Sequence, residues 1–376
     1  MTTFQELLNQ FNEMDDEQKA RFLGACIGSV NMQKEYITSM PIPSAKPSKS
    51  TLPTVENNRF QNGRVCPVCG SVHVVRNGHI KNDKDTQRYL CRDCGKSFVI
   101  SSNSVVAKTH KDLNVWFQYI DCMLEHYSVR KSARICGIHR NTSFIWRHKI
   151  LDALTEMQEQ IKLHNIVEAD ETYFELSFKG NHSKQLDFDM GRKAHHRGKG
   201  ADGTHWDNEK KKVVADKKKR GLSTNQVCVP CAVTRNGLSV AKIGKLGKVD
   251  KATLETILGN KLRNQSVLCT DSERAYRPFA ETKEIKLVQI KDHETKNGIY
   301  HINTINNYHS RLKRFLEPFN GVATKYLDNY LVWFNYLNNT KGDDEYKLNA
   351  LLNYIIRHPI SITKREIPMR PAIPVI

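Results

Sequence analysis

The stretch His164–Phe174, HNIVEADETYF, decides how the rest of the chain is read. Ile166 to Ala169 has the pattern of a short buried strand with one acid inside it, Glu168. Asp170 and Glu171 then arrive together, ahead of Thr172, Tyr173 and Phe174. A carboxylate at the end of an apolar strand is costly to bury unless a cation neutralises it, and in catalytic sites that cation is commonly a divalent metal. A strand running out into solvent, where an Asp–Glu pair is ordinary, is the alternative on this stretch alone. A second stretch, Val267–Asp271 (VLCTD), ends the same way. Two strands each ending in Asp within one α/β region is a common way to assemble a two-metal phosphoryl-transfer site.

Working outward, residues 164–340 read as α/β. Gln226–Val233 is a strand, Asn236-Gly237 a hairpin turn and Leu238–Ile243 the return strand. A helix over Lys251–Gly259, the Asp271 strand and a strand at Leu287–Ile290 follow. Cys228 and Cys231 form a CxxC inside an apolar strand with no second pair nearby, which points to burial. Residues 192–220 hold eleven Lys or Arg against four acids and few apolar residues. That is a surface loop, either a solvated charge run or an arm that grips phosphate. In the helix around His301–Lys313 the apolar face is Ile305, Tyr308 and Leu312. Asn306 and Lys313, seven residues apart, project from one side, as they would on any polar helix face. Val322–Leu337 is a second helix, mostly core. Pro368, Pro371 and Pro374 suggest a loose tail.

Upstream, Cys66-Pro67-Val68-Cys69-Gly70 and Cys91-Arg92-Asp93-Cys94-Gly95 form two CxxC pairs, with 21 residues between Cys69 and Cys91. Each pair sets two thiolates on one tight turn, and together they complete a tetrahedral zinc site. It is structural, because four thiolates leave no position for substrate. The glycine after each pair lets the backbone turn back toward sulfur. His73–Arg76, Gln87–Leu90 and Lys96–Val99 read as the strands of a zinc ribbon, too small to fold without its metal. Leu113, Trp116, Phe117, Ile120 and Met123 then mark a helix. Ser128–His139 reads as a short helix with a turn at Gly137, and Arg140–Ile150 as a second helix opening on polar residues: a helix-turn-helix, with a plain three-helix bundle as the alternative. Asn141, Thr142 and Ser143 are expected to face bases or phosphates. Arg130, Lys131, Arg140 and Arg147 supply the basic surface, while Ile145, Trp146 and Ile150 hold the helix to its neighbours.

A net charge of +18, with 26% charged residues, calls for a polyanionic partner, and nucleic acid comes before membrane because no basic amphipathic helix stands out. There is no long apolar run and no signal peptide, so a cytosolic protein is expected. The ten cysteines then belong to metal binding or burial and not to a disulfide framework.

This order of parts resembles bacterial insertion-sequence transposases of the DDE type, in particular those with a zinc ribbon ahead of the catalytic domain. The resemblance covers roughly residues 60–340. It is carried most specifically by V-E-A-D-E-T-Y at Val167–Tyr173, L-C-T-D-S-E-R-A-Y at Leu268–Tyr276, and H-I-N-T-I-N-N-Y-H-S-R-L-K at His301–Lys313. It implies an α/β, RNase H-like catalytic domain preceded by a zinc ribbon and a helix-turn-helix. The implied catalytic set is Asp170, Asp271, Asn306 at the third position, where many relatives carry Glu, and Lys313. An amide oxygen can ligate Mg²⁺ but adds no charge. The implied cofactors are one structural zinc on Cys66, Cys69, Cys91 and Cys94, and two catalytic Mg²⁺ or Mn²⁺ ions on Asp170, Asp271 and Asn306. The implied partners are double-stranded DNA, as transposon ends and target, and a second copy in a homodimer or higher synaptic complex, with no membrane. The expected domains are a helical segment (1–40), a linker (41–57), the ribbon (58–106), the helix-turn-helix (107–162), the catalytic domain (163–340, with a basic insert at 175–222) and a tail (341–376). Two other readings stay open: a DNA-binding protein that kept the fold and lost the chemistry, and a metal-dependent nuclease without strand transfer.

Overall fold

The computed structural model describes residues 59–60, 63–81, 83–107, 109, 111–180, 204–207, 212–215, 226–291, 294, 296–358 and 363–371. The expected N-terminal helices and linker, and most of the basic insert, lie outside them. Within the insert, Thr204–Asp207 pairs with Lys212–Ala215 in a two-stranded antiparallel ribbon. The chain divides into two compact units, one of residues 1–121 and 342–358, the other of residues 122–341 and 359–376.

The first unit holds a three-stranded antiparallel sheet of β1 (Val74–Ile80), β2 (Asp83–Cys91) and β3 (Ser97–Val99). Its small core is Cys66, Val74, Tyr89, Cys91 and Phe98. Tyr89 lies between Phe60 and Phe98, with ring centroids 5.0 and 5.6 Å away. The segment expected as a loose tail instead holds a helix, Asp344–Arg357, in this same unit. Asp343 caps it by accepting from Tyr346 N at 2.8 Å. Leu348, Leu351, Leu352, Ile355 and Ile356 are buried at helical spacing, and Arg59 donates to Ile356 O and Ser102 O, both at 2.6 Å. The terminal prolines drew attention from that periodicity.

The second unit opens on the end of α1 (Leu113–Leu124), then α2 (Val129–Ile135) and α3 (Arg140–Glu159). Its sheet is built from β4 (Ile166–Glu175), β7 (Gln226–Thr234), β8 (Ser239–Ala241), β9 (Val267–Thr270) and β10 (Lys286–Gln289), in the order β10-β9-β4-β7-β8, where β5 and β6 are the two short strands at 204–207 and 212–215. β4, β7 and β8 form an antiparallel meander, and β9 and β10 add parallel to β4 on its other side. This is the RNase H-like arrangement. Strand alternation sends Val167 and Ala169 to one face, where they join Cys228, Ala232, Val240 and Leu268 in a core closed by two helices, α4 (Lys251–Leu258) and α5 (Tyr276–Lys283). Glu168 and Asp170 therefore face the other way, toward α6 (Asn303–Leu316), beside which runs α7 (Thr324–Asn339). Cys228 and Cys231 are both fully buried. Among the described residues no helix is long and apolar enough to cross a membrane.

Candidate functional site

β4 pairs with β9 in parallel through Ile166↔Val267, Val167↔Leu268 and Glu168↔Cys269. Carrying that register on by two residues sets Asp170 beside Asp271, on strands spaced ~4.8 Å apart. The expected picture of two strands ending in Asp needs one correction. β4 does not end at Asp170 but stays paired with β7 from Asp170↔Cys231 to Glu175↔Gln226, because Thr172, Tyr173 and Phe174 favour extended backbone. What ends there is the ladder to β9, which opens the sheet between the two aspartates. Asp271 is held by Glu273 N, which donates to its Oδ1 at 3.0 Å, while Gln289 Nε2 donates to its carbonyl at 3.0 Å.

The electrostatics of this opening are those of crowded acids. Burial and then the charge of Asp271 push the Asp170 carboxyl up to about 6, against the Glu171 N–H on its Oδ1 (2.8 Å) and the charge of Lys313. Glu171, on the opposite face of β4, accepts from the buried Tyr276 hydroxyl. Burial, with the charges of Asp170, Asp271 and Glu273, pushes it up to about 8. Crowded, half-desolvated carboxylates are what a hard divalent ion relieves, and oxygen donors such as those of Asp170, Asp271 and Asn306 suit Mg²⁺ or Mn²⁺. The residues present fit that group.

α6 runs past this opening. His309 is buried with Nδ1 3.6 Å from Asp170 Oδ2, and burial and the Lys313 charge push its imidazole down to about 4, so it is neutral at neutral pH. Asn306, one turn before His309, and Lys313, one turn after it, are exposed on the same side of the helix. The start of α6 is fastened by Glu168. This carboxylate, with no exposed surface, accepts from Thr304 N (2.7 Å), Thr304 Oγ1 (2.8 Å) and Ile305 N (3.0 Å), and it pairs with Arg235 Nε at 2.9 Å.

Residues 162–339 match the family of ISXO2-like transposase domains. This segment is a transposase domain of the DDE type. An uncharacterized protein in transposable element ISH50 of Halobacterium salinarum is 26% identical over 295 residues, which span 78% of this chain and 91% of that protein. An uncharacterized 48.3 kDa protein of insertion element ISM1 from Methanobrevibacter smithii is 30% identical over 92 residues, 21% of this chain and 23% of that protein. A chain in the crystal structure of a pre-cleavage Mos1 transpososome aligns over 86% of this chain and 94% of its own length, at 11% identity and a TM-score of 0.20.

Ahead of the transposase domain, α2 and α3 are joined by a short turn in which Gly137 takes a φ of 59°. Ser128 Oγ caps α2 by accepting from Lys131 N at 3.3 Å, and His139 Nδ1 caps α3 by accepting from Asn141 N at 3.2 Å. Arg130, Lys131, Arg140 and Asn141 are exposed and Thr142 is half-buried. Two residues expected to contact DNA do not reach the surface. Ser143 is fully buried and donates to Val129 O at 2.9 Å. Arg147 is also fully buried: its Nη2 donates to Tyr127 O (2.6 Å) and Ser132 Oγ (3.2 Å), and its guanidinium stacks 5.0 Å over the Trp333 ring. Both lie on the inward stripe of α3 with Trp146 and Ile150, one and two turns past the exposed Arg140.

In the ribbon, all four cysteine sulfurs lie within 4.8 Å of one another, with Cys66–Cys94 at 3.7 Å and Cys69–Cys91 at 3.6 Å. Tetrahedral Zn–S bonds of about 2.3 Å place sulfurs roughly 3.8 Å apart, so the cluster has the size of a zinc site. Gly70 and Gly95, at φ 75° and 68°, turn each knuckle back so that their N–H groups donate to Cys66 O and Cys91 O, both at 3.0 Å.

Sequence reasoning passed over Glu168 and His309. The signal for Glu168 was its place two residues before Asp170, on the same face of an apolar strand. That for His309 was its position between Asn306 and Lys313 on one helix stripe.

Proposed function

We propose that the protein is a DNA transposase that binds the terminal inverted repeats of an insertion sequence, cuts the strands there and joins the freed ends to target DNA. The observation that carries this is the placement of Asp170 and Asp271 two residues beyond the last pair of adjacent parallel strands, where each raises the electrostatic cost of the other, with α6 bringing Lys313 close enough for Asp170 to feel its charge. Asp170, Asp271 and Asn306 would hold two Mg²⁺ or Mn²⁺ ions. When bound, such ions neutralise charge at the phosphodiester and lower the pKa of the attacking water. Lys313 grips a phosphate beside the scissile bond, and Asn306 offers an amide oxygen that orients without adding charge. The fully buried wall of Val167, Ala169 and Leu268 keeps bulk water from the carboxylates' rear. The 3′-OH released by cleavage then attacks target DNA in line, with no covalent protein–DNA intermediate.

Zinc on Cys66, Cys69, Cys91 and Cys94 shapes the ribbon, which acts with the exposed Arg130, Lys131, Arg140 and Asn141 and the half-buried Thr142 to grip the repeats. Since two ends must be joined, the working form is a dimer or higher complex, acting in the cytosol. The test is a strand-transfer assay with purified protein, labelled ends carrying the gene's flanking repeats, and a plasmid target in Mg²⁺ or Mn²⁺. Joined products support the proposal. Nicked ends without joining would make the protein a nuclease, and binding without nicking a DNA-binding protein.

A further inference from the structure

We propose that Glu168 is a positioning residue for the reaction, a buried carboxylate that sets the register of α6 on β4 and so fixes where Asn306, His309 and Lys313 stand relative to Asp170. The first-turn N–H groups of a helix need acceptors, usually from a side chain just ahead of it. Ile302, at that place, offers no side-chain cap. The acceptor comes instead from the central strand: Glu168 takes the N–H groups of Thr304 and Ile305 and the Thr304 hydroxyl.

Its charge is matched from the other side. Arg235, whose Nε lies 2.9 Å from Oε1, supplies that charge, while His301 Nδ1, 3.3 Å from Oε1, accepts from Asn303 N at 3.2 Å. Arg235 is itself fixed, with Nη2 donating to Ile299 O at 3.1 Å and Nη1 2.5 Å from His301 Nε2. A fully buried carboxylate with this many partners is far more than a helix cap requires.

The spacing shows what the anchor controls. From Glu168 to Asp170 along β4 is roughly 6.7 Å, and from Thr304 to His309 along α6 is roughly 7.5 Å. The helix thus runs alongside the strand, contacting Glu168 through Thr304 and meeting Asp170 at His309. Slipping α6 by one residue would turn its polar stripe by about 100° and take Asn306 and Lys313 away from the aspartates. Glu168 reaches none of the reacting atoms; it acts through α6.

This inference rests on the reading of Asp170 and Asp271 as the reacting centre, and the test separates the two. Glu168→Gln, Thr304→Val and wild type are compared for thermal stability, affinity for a labelled end, Mn²⁺ affinity by electron paramagnetic resonance, and single-turnover nicking well below the melting temperature. Glu168→Gln is expected to keep end affinity within about twofold, weaken Mn²⁺ binding about tenfold and slow nicking by about 30-fold or more. Thr304→Val, which keeps volume and removes one of the bonds, should slow nicking about three- to tenfold and carries the test if Glu168→Gln does not fold. Unchanged Mn²⁺ affinity and nicking in the variants, or loss of end affinity in step with nicking, overturns the positioning role while the reacting centre stands. A wild type that neither binds Mn²⁺ nor nicks overturns both.

Discussion

Replacing Asp170 with Asn should stabilise the metal-free protein, and by more at high pH than at low. The carboxyl stands at about 6 in the fold against an ordinary 3.8, burial and the Asp271 charge being the main causes. A group raised on folding favours the native state fully only below its unfolded value, and that contribution is lost as pH rises through the folded one. A shift of roughly two units corresponds to about 3 kcal/mol, fully expressed as a penalty by pH 8 and about half expressed at pH 5. The assay is urea unfolding of wild type and Asp170→Asn in chelator from pH 5 to 8. The stability difference between them should grow by about 1.5 kcal/mol over that range in favour of the variant. Adding Mg²⁺ or Mn²⁺ at pH 8 should close the gap by stabilising wild type alone. A difference that does not change with pH would refute the crowding of charge at Asp170.

Arg147→Ala should cost about 3 kcal/mol of stability, since it empties a fully buried site and leaves Tyr127 O without its donor, yet leave the salt dependence of DNA binding unchanged. Arg140→Ala, on the exposed end of the same helix, should do the reverse, weakening binding and reducing the salt slope by about 1. Cys94→Ser should abolish the single bound zinc measured by atomic absorption and unfold the ribbon, while circular dichroism retains the helices of the other unit. Lys313→Met should slow end nicking about 100-fold with end affinity nearly unchanged, and comparable losses in both would remove its assignment to the scissile phosphate.

Much of the fold was legible because its signals are local. Two CxxC turns with glycine after each, an Asn-Gly hairpin and apolar strands at Val167 and Leu268 each declare themselves within a few residues. The acid pair was legible for the same reason: a carboxylate at the edge of an apolar run stands out whatever surrounds it. What escaped depends on partners far away in the chain. Ser143 and Arg147 look like DNA-facing polar residues until α7 brings Trp333 against Arg147. Glu168 looks like a lone misplaced acid until α6 delivers two N–H groups and a hydroxyl from 136 and 137 positions downstream. The helix Asp344–Arg357 was readable from its own periodicity, and the prolines beyond it obscured that signal.

The central claim is that Asp170 and Asp271 together form a cation-dependent phosphodiester-cleaving site. The measurement that tests it most directly is nicking of an end-labelled duplex carrying the gene's flanking repeat, with wild type and Asp271→Ala side by side, with Mg²⁺ or Mn²⁺ and with chelator. The account predicts a nick at the repeat boundary that requires the cation and vanishes in the variant, while both proteins bind the duplex equally. Cation-dependent nicking that survives Asp271→Ala would contradict it.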